Sequence, residues 1–207
     1  MLLEDERHAV VAACRRLVAD RLVVGTAGNV SVRSGDLLAV TPGGVDYATL
    51  TAETIGVHRL DGSPVEAPLP PTSELPMHLA VYAARDAGAV VHHHSVASTA
   101  LSLVVDEIPT SHYYSALFGG AVRVAAYATY GTDLLAEHVV TSLRERTGAL
   151  MSNHGAVCLG SDLAQAYERA LYLDWLCDVQ LRALATGLPV KVLPADEIAR
   201  VVRRLGS

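Results

Sequence analysis

The sequence predicts a mixed α/β domain, and three observations carry that expectation. From Glu6 to Arg21 the apolar residues Val10, Ala13, Cys14, Leu17 and Val18 recur at three- and four-residue steps, the period of a helix with one buried face. The uncharged segment Ala89-Val90-Val91-His92-His93-His94 reads as a largely buried strand. A second long helical segment begins at Ser161 or Asp162 and runs through Ala185, where Gly187 stops it.

Between these landmarks the elements follow in order. Gly25 to Asn29 break the first helix, and two short strands, Asn29–Val32 and Leu37–Val40, are joined by a tight turn through Ser34-Gly35-Asp36. Thr41-Pro42-Gly43-Gly44 is a further turn, and Ile55–Leu60 is a third strand ending at Asp61-Gly62. Pro64, Pro68, Pro70 and Pro71 hold the next connection extended. Thr72 or Ser73 then caps a helix to about Arg85, with Pro76 in its first turn, Gly88 as its stop and Glu74 at its beginning. Ser95 opens a short helix after the histidine strand. Val122–Ala125 is a strand and Asp133–Arg146 a helix, after which Ala149–Met151 and Ala156–Leu159 bracket the turn Asn153-His154-Gly155. Asp196 begins the last helix, near Ile198.

Composition narrows the functional classes. The chain has 207 residues, 51% of them apolar, which suits one domain with a sizeable core rather than a disordered segment. Its net charge of −6 and its lack of a Lys or Arg tract argue against nucleic acid or an acidic membrane surface as partner. The stretch Ala87–Val105 lacks Asp, Glu, Lys and Arg, but its imidazoles would be rejected by lipid. Glu4, Asp5 and Glu6 do not form the basic start of a signal peptide. Cys14, Cys158 and Cys177 have no paired spacing, so a reducing, cytoplasmic setting is expected.

The sharpest chemical signal is the histidine strand. Alternation on a strand sends His92 and His94 to one face and His93 to the other, so two imidazoles can aim at one metal ion. His154, in a polar turn, would complete a set of three, with Glu74 supplying a carboxylate beside them. Such a set suits zinc polarising a carbonyl or enediolate, although imidazoles also accept nickel or iron. Spacing alone leaves a packing role for the histidines equally open. The turns Gly25–Asn29 and Thr41–Gly44, with Thr72 and Ser73 at a helix start, can turn backbone N–H groups and hydroxyls toward an anion, and ordinary loops look the same. Tyr113 and Tyr114 offer a phenolic proton or an edge contact. No Gly-x-Ser-x-Gly elbow, nucleoside-triphosphate loop or cysteine cluster is present.

The ordered set of Gly25–Ser31, Thr41–Gly44, Glu74-Leu75-Pro76-Met77-His78, Val91–Ser95, His112-Tyr113, Tyr127-Ala128-Thr129-Tyr130-Gly131 and Asn153-His154-Gly155 resembles the class II aldolase and adducin head-domain family, most closely its L-fuculose-1-phosphate aldolase branch. The resemblance implies a single domain over residues 1–207, a three-layer α/β/α fold around a mainly antiparallel mixed sheet. It implies one zinc ion on His92, His94 and His154, Glu74 as base, Tyr113 as proton donor near an adjacent subunit's site, and substrate phosphate at Thr26, Asn29, Gly44, Thr72 and Ser73. It further implies a cyclic homotetramer that cleaves a ketose 1-phosphate reversibly to dihydroxyacetone phosphate and an aldehyde. Gly43 stands where a serine is frequent. The end at Ser207 is read as omitting a tyrosine-bearing tail of that branch, which weakens assignment of fuculose 1-phosphate itself. The same scaffold suits a pentulose-phosphate 4-epimerase or a methylthioribulose-phosphate dehydratase, and a non-catalytic adducin-like interaction domain is the alternative of another class.

Overall fold

A computed structural model describes residues 1–205, so the chain end at Ser207 lies outside the described residues. The helices are α1 (Glu4–Ala19), α2 (Leu75–Ala84), α3 (Val96–Ser102), α4 (Asp133–Ser142), α5 (Leu163–Leu184) and α6 (Ala195–Leu205). The strands are β1 (Asn29–Ser34), β2 (Leu37–Val40), β3 (Gly56–Arg59), β4 (Pro64–Glu66), β5 (Ala89–His93), β6 (Glu107–Ile108), β7 (Val122–Ala125), β8 (Gly148–Met151) and β9 (Gly155–Gly160). They form one sheet in the order β4-β3-β2-β1-β5-β9-β8-β7-β6. Within it β7 and β8 run parallel and the other pairs run antiparallel.

Each face of the sheet carries its own core, which makes the expected three layers. Ala89 and Val91 of β5 pack with Val10, Cys14 and Leu17 of α1 and with Ala170, Leu173 and Cys177 of α5. Val90, one residue out of phase, packs on the opposite face with Met77 and Val81 of α2 and Leu135 and Val139 of α4. A central strand buried on both sides reads as an unbroken apolar run, as Ala89–Val91 does. Strand alternation continues through the histidines, so His92 belongs to the face covered by α2, and His93 lies buried on the α1 and α5 side.

Several local expectations are corrected. The first helix starts at Glu4, where Glu4, Asp5 and Glu6 complement its N-terminal dipole, and ends at Ala19 before Arg21 turns left-handed at φ 59°. The third strand is shorter than Ile55–Leu60, because Ala52–Thr54 form a 3₁₀ turn that delivers Ile55. Within the connection expected to be extended, Pro64–Glu66 pairs as a strand with β3. It lies at the sheet edge, where a proline need not donate to a ladder on both sides. The helix from Asp133 stops at Ser142, short of Arg146, as the chain turns with Glu145 left-handed at φ 59°. The loop around Tyr113 is a 3₁₀ turn over Tyr113–Phe118, capped by the His112 ring, and β6 precedes it. Among the described residues no helix is long and apolar enough to cross a membrane.

Leu150 is fully buried in β8. Leu150→Ala should lower the unfolding free energy by about 2–5 kcal/mol in urea titrations, through the cavity it leaves between sheet and helix.

Candidate metal centre and active site

Three separated segments build the site. His92 lies one residue before the end of the buried strand β5, paired across the ladder with Asn29 on one side and Val157 on the other. His94 follows the strand immediately. His154 sits in the turn between β8 and β9, where Asn153 takes φ 57° and the His154 amide bonds to Met151 O at 3.1 Å. Gly155 closes that turn against the His93 carbonyl, so close that a Cβ would overlap it. Gly28, at φ +82°, is likewise confined to glycine, since a Cβ would lie 2.8 Å from His92 O.

Glu74 enters from the opposite layer. It is the residue before α2, held there because the turn at Thr41–Gly44 and the Pro70–Thr72 segment are stitched together by Gly43 N to Pro70 O (3.1 Å) and Thr72 N to Thr41 O (3.0 Å). The fold thereby brings one donor atom each from Glu74, His92, His94 and His154 within 4.8 Å of one another. The three imidazoles meet edge to face, with ring centroids 4.7–4.9 Å apart.

The donor chemistry of this cluster calls for a cation. His92 Nδ1–H donates to Ala156 O at 2.9 Å, which leaves the lone pair of a neutral ring on Nε2. That Nε2 faces Glu74 Oε2 at 2.9 Å, so two acceptors confront one another, and His94 Nε2 lies 2.8 Å away. Glu74 Oε1 is buried without a hydrogen-bond partner, 3.5 Å from His154 Nε2. One proton on His92 relieves part of the conflict, and a divalent ion relieves all of it. Burial opposes that proton, but the Glu74 carboxylate outweighs burial and raises the His92 pKa. Burial likewise opposes ionisation of Glu74, yet His92, His154 and the Asn29 amide together hold its carboxyl well below the usual range. Burial and the neighbouring rings push His94 down to about 3 and His154 to about 4. At neutral pH both rings therefore present lone pairs. Three imidazoles and a carboxylate fit one divalent ion of the zinc type.

Beside the cluster opens a cavity of about 530 Å³, lined by Glu74, His94 and His154 and by every residue expected at substrate phosphate: Thr26, Asn29, Gly44, Thr72 and Ser73. The volume is that of a small-molecule pocket. Asn29 lines it with its amide already engaged at both ends, which makes it a support of Glu74 as much as a contact for phosphate. Tyr127, Tyr130 and Asn153 also line the cavity, and no role was foreseen for them. The two tyrosines stand in a Tyr-x-x-Tyr-Gly spacing and Asn153 precedes His154, signals visible in the sequence without an intrinsic chemistry to read. Tyr113 is not in the cavity. It lies half-exposed, its ring tilted against His112, in a separate groove with His112, Tyr114, Tyr172 and Trp175, whose own rings meet edge to face.

Residues 8–181 match the family described as class II aldolase and adducin N-terminal domain. The chain belongs to that family. It is 39% identical to the L-fuculose phosphate aldolase of Escherichia coli strain K12, over 94% of this chain and 91% of the relative. It is 38% identical to the 5-methylthioribulose-1-phosphate/5-deoxyribulose-1-phosphate aldolase of Rhodospirillum rubrum, over 96% and 90%. A solved structure titled L-fuculose 1-phosphate aldolase superposes with a TM-score of 0.96 at 32% identity, covering 100% of this chain and 99% of the other.

Two outcomes follow from this cluster. His92→Ala should abolish stoichiometric divalent metal, measured by elemental analysis after dialysis, while far-UV circular dichroism stays unchanged. In metal-free protein, burial holds His78 neutral, with its pKa down to about 3 from an ordinary 6.5. Between those values the unfolded chain binds the proton and the native one does not, so stability is full above the upper value and is lost as pH falls toward the lower. The melting temperature of the apoprotein should therefore drop steadily on acidification through this window.

Proposed function

We propose that the protein is a zinc-dependent aldolase that reversibly cleaves a ketose 1-phosphate, of the L-fuculose 1-phosphate type, to dihydroxyacetone phosphate and an aldehyde. The observation that carries this reading is Glu74: an ionised, buried carboxylate with one unpartnered oxygen, set among three imidazoles in the wall of a hydroxyl-lined cavity. Zinc on His92, His94 and His154 would polarise the ketose oxygens and offset the negative charge of an enediolate.

In the addition direction Glu74 Oε1 takes a carbon-bound proton from dihydroxyacetone phosphate. A carbon–carbon bond then forms to the aldehyde, whose oxygen receives the phenolic proton of Tyr113. In cleavage each transfer reverses: Tyr113 accepts the proton of the C4 hydroxyl, the C3–C4 bond breaks, and Glu74 returns a proton to C3. Thr26, Gly44, Thr72 and Ser73, with Asn29, are assigned to the phosphate. The absence of a serine hydroxyl at Gly43 leaves that set one donor short. Because Tyr113 stands outside the cavity of its own chain, the reading includes a homotetramer in which it serves an adjacent copy. The single domain of residues 1–207 is taken as the unit of that assembly, in a cytoplasmic setting supported by three buried, unpaired cysteines.

The Rhodospirillum relative's name favours a second substrate, a 5-deoxypentulose 1-phosphate. Cleavage between C3 and C4 then yields a two-carbon aldehyde, whereas a 6-deoxyhexulose 1-phosphate yields a three-carbon one. Zinc-loaded protein incubated with a panel of ketose 1-phosphates, with every product identified by mass, separates these. Dihydroxyacetone phosphate is the expected common product. An epimerised sugar or loss of water would instead assign epimerase or dehydratase chemistry, and stoichiometric zinc without turnover of any phosphorylated ketose would favour an interaction domain. Glu74→Gln should reduce kcat by about 10²- to 10⁴-fold. Tyr113→Phe should impair carbon–carbon bond turnover while sparing hydrogen exchange into dihydroxyacetone phosphate.

A further inference from the structure

We infer that His78 is a positioning residue for Glu74, acting through the Asn29 amide; the inference rests on the aldolase reading for its catalytic consequence but not for its geometry. Glu74, His78 and Tyr82 stand at four-residue steps on one face of α2 and its cap, and Asn29 and Ser31 stand two apart on β1. These two rows interlock. Asn29 Nδ2 lies 2.8 Å from Glu74 Oε2 and 3.1 Å from Thr72 Oγ1, and Asn29 Oδ1 lies 2.5 Å from His78 Nε2. His78 Nδ1 is 2.6 Å from Ser31 Oγ, which is 2.8 Å from the Tyr82 hydroxyl.

Donor and acceptor rules order this chain. An ionised carboxylate only accepts, so the NH₂ end of Asn29 faces Glu74 and its carbonyl faces His78. A carbonyl also only accepts, so the His78 proton resides on Nε2. Nδ1 must then accept from the Ser31 hydroxyl, and Ser31 Oγ accepts in turn from Tyr82, whose one phenolic proton is shared between Ser31 Oγ at 2.8 Å and Ser31 O at 3.1 Å. Every bond from Tyr82 to Glu74 donates toward the carboxylate. The two ends of an asparagine amide have nearly the same shape, so packing alone does not choose between them. The Glu74 carboxylate and the Nε2–H of His78 choose together, one from each end of the amide. Turned over, Asn29 would set its carbonyl oxygen against Glu74 Oε2.

His78 and Ser31 are fully buried, so no water competes for these bonds. The result is an asymmetric carboxylate: Oε2 is anchored, and Oε1 is the oxygen left to carry a proton.

The test uses full-length, zinc-loaded protein labelled with ¹⁵N-histidine. His78 ring signals, assigned by their loss in His78→Gln, should report a neutral ring protonated at Nε2; a proton at Nδ1 overturns the inference. Exchange of the carbon-bound hydrogen of dihydroxyacetone phosphate in D₂O, without aldehyde, reads the Glu74 step separately. His78→Leu should slow exchange and kcat by about 10- to 100-fold with zinc content unchanged. KM should stay within about twofold, because a transition-state interaction is lost rather than uniform binding. His78→Gln, whose amide can donate to Asn29, should recover part of that loss. Equal losses in both variants, or a loss confined to KM, would refute the positioning role. If His78→Leu does not fold, Ser31→Ala takes its place and should shift part of His78 to the Nδ1–H form and slow exchange; no change in either refutes it. Wild-type protein with Nε2–H that exchanges no hydrogen upholds the orientation inferred here and rejects the aldolase reading.

Discussion

The structure turns on holding a carboxylate against imidazole lone pairs in a place where water cannot mediate. Glu74 Oε2 and His92 Nε2 are 2.9 Å apart and both buried, an arrangement that is unfavourable unless positive charge lies between or upon them. Ordinary folding would move the groups apart. Here His92 is fixed by the β1 and β9 ladders and by the Ala156 carbonyl, while Glu74 is fixed by the start of α2 and by Asn29. The two-sided burial of β5 supplies the rigidity that such a site needs.

That constraint explains the placement of features that otherwise look incidental. Glycine at positions 28 and 155 lets the flanking turns lie against the backbone of His92 and His93, so that β1 and the β8–β9 turn approach the cluster closely. The paired 41–44 and 70–72 segments bring hydroxyls and backbone to the same mouth as the cluster, so a single cavity holds both a charge-bearing centre and a set of neutral donors. An anionic substrate with a polarisable carbonyl is the chemistry that such a pairing serves. The aromatic groove around Tyr113 belongs to a different part of the surface, and the proposed reaction joins the two only across copies of the chain.

In the proposed reaction, the contacts behind Glu74 keep it ionised and leave one of its oxygens to serve as base. Hydrogen bonds and neighbouring rings favour the carboxylate form, and the same contacts leave one of its oxygens without a partner. Orientation and ionisation are therefore set by one network. A fold with Asn29 turned over would have all the same residues and a poorly placed base.

Much of the fold was legible locally, because the period of apolar residues reports which face is buried. Val90 and Val91 sort to opposite cores as alternation requires, and the caps at Ser95 and Asp162 each accept a backbone amide. Short elements escaped, such as Pro64–Glu66 and Glu107–Ile108, since two or three residues carry no period and their pairing depends on a neighbouring strand. In the site, residue types and spacing determined that His92 and His94 share a face and that Glu74 begins a helix. Only the tertiary structure decided that His154 joins them, that Asn29 serves the carboxylate, and that His78 stands behind it. Those contacts span 43 to 80 residues of chain, and proximity at such separations is created by sheet register and helix docking, which no local pattern encodes.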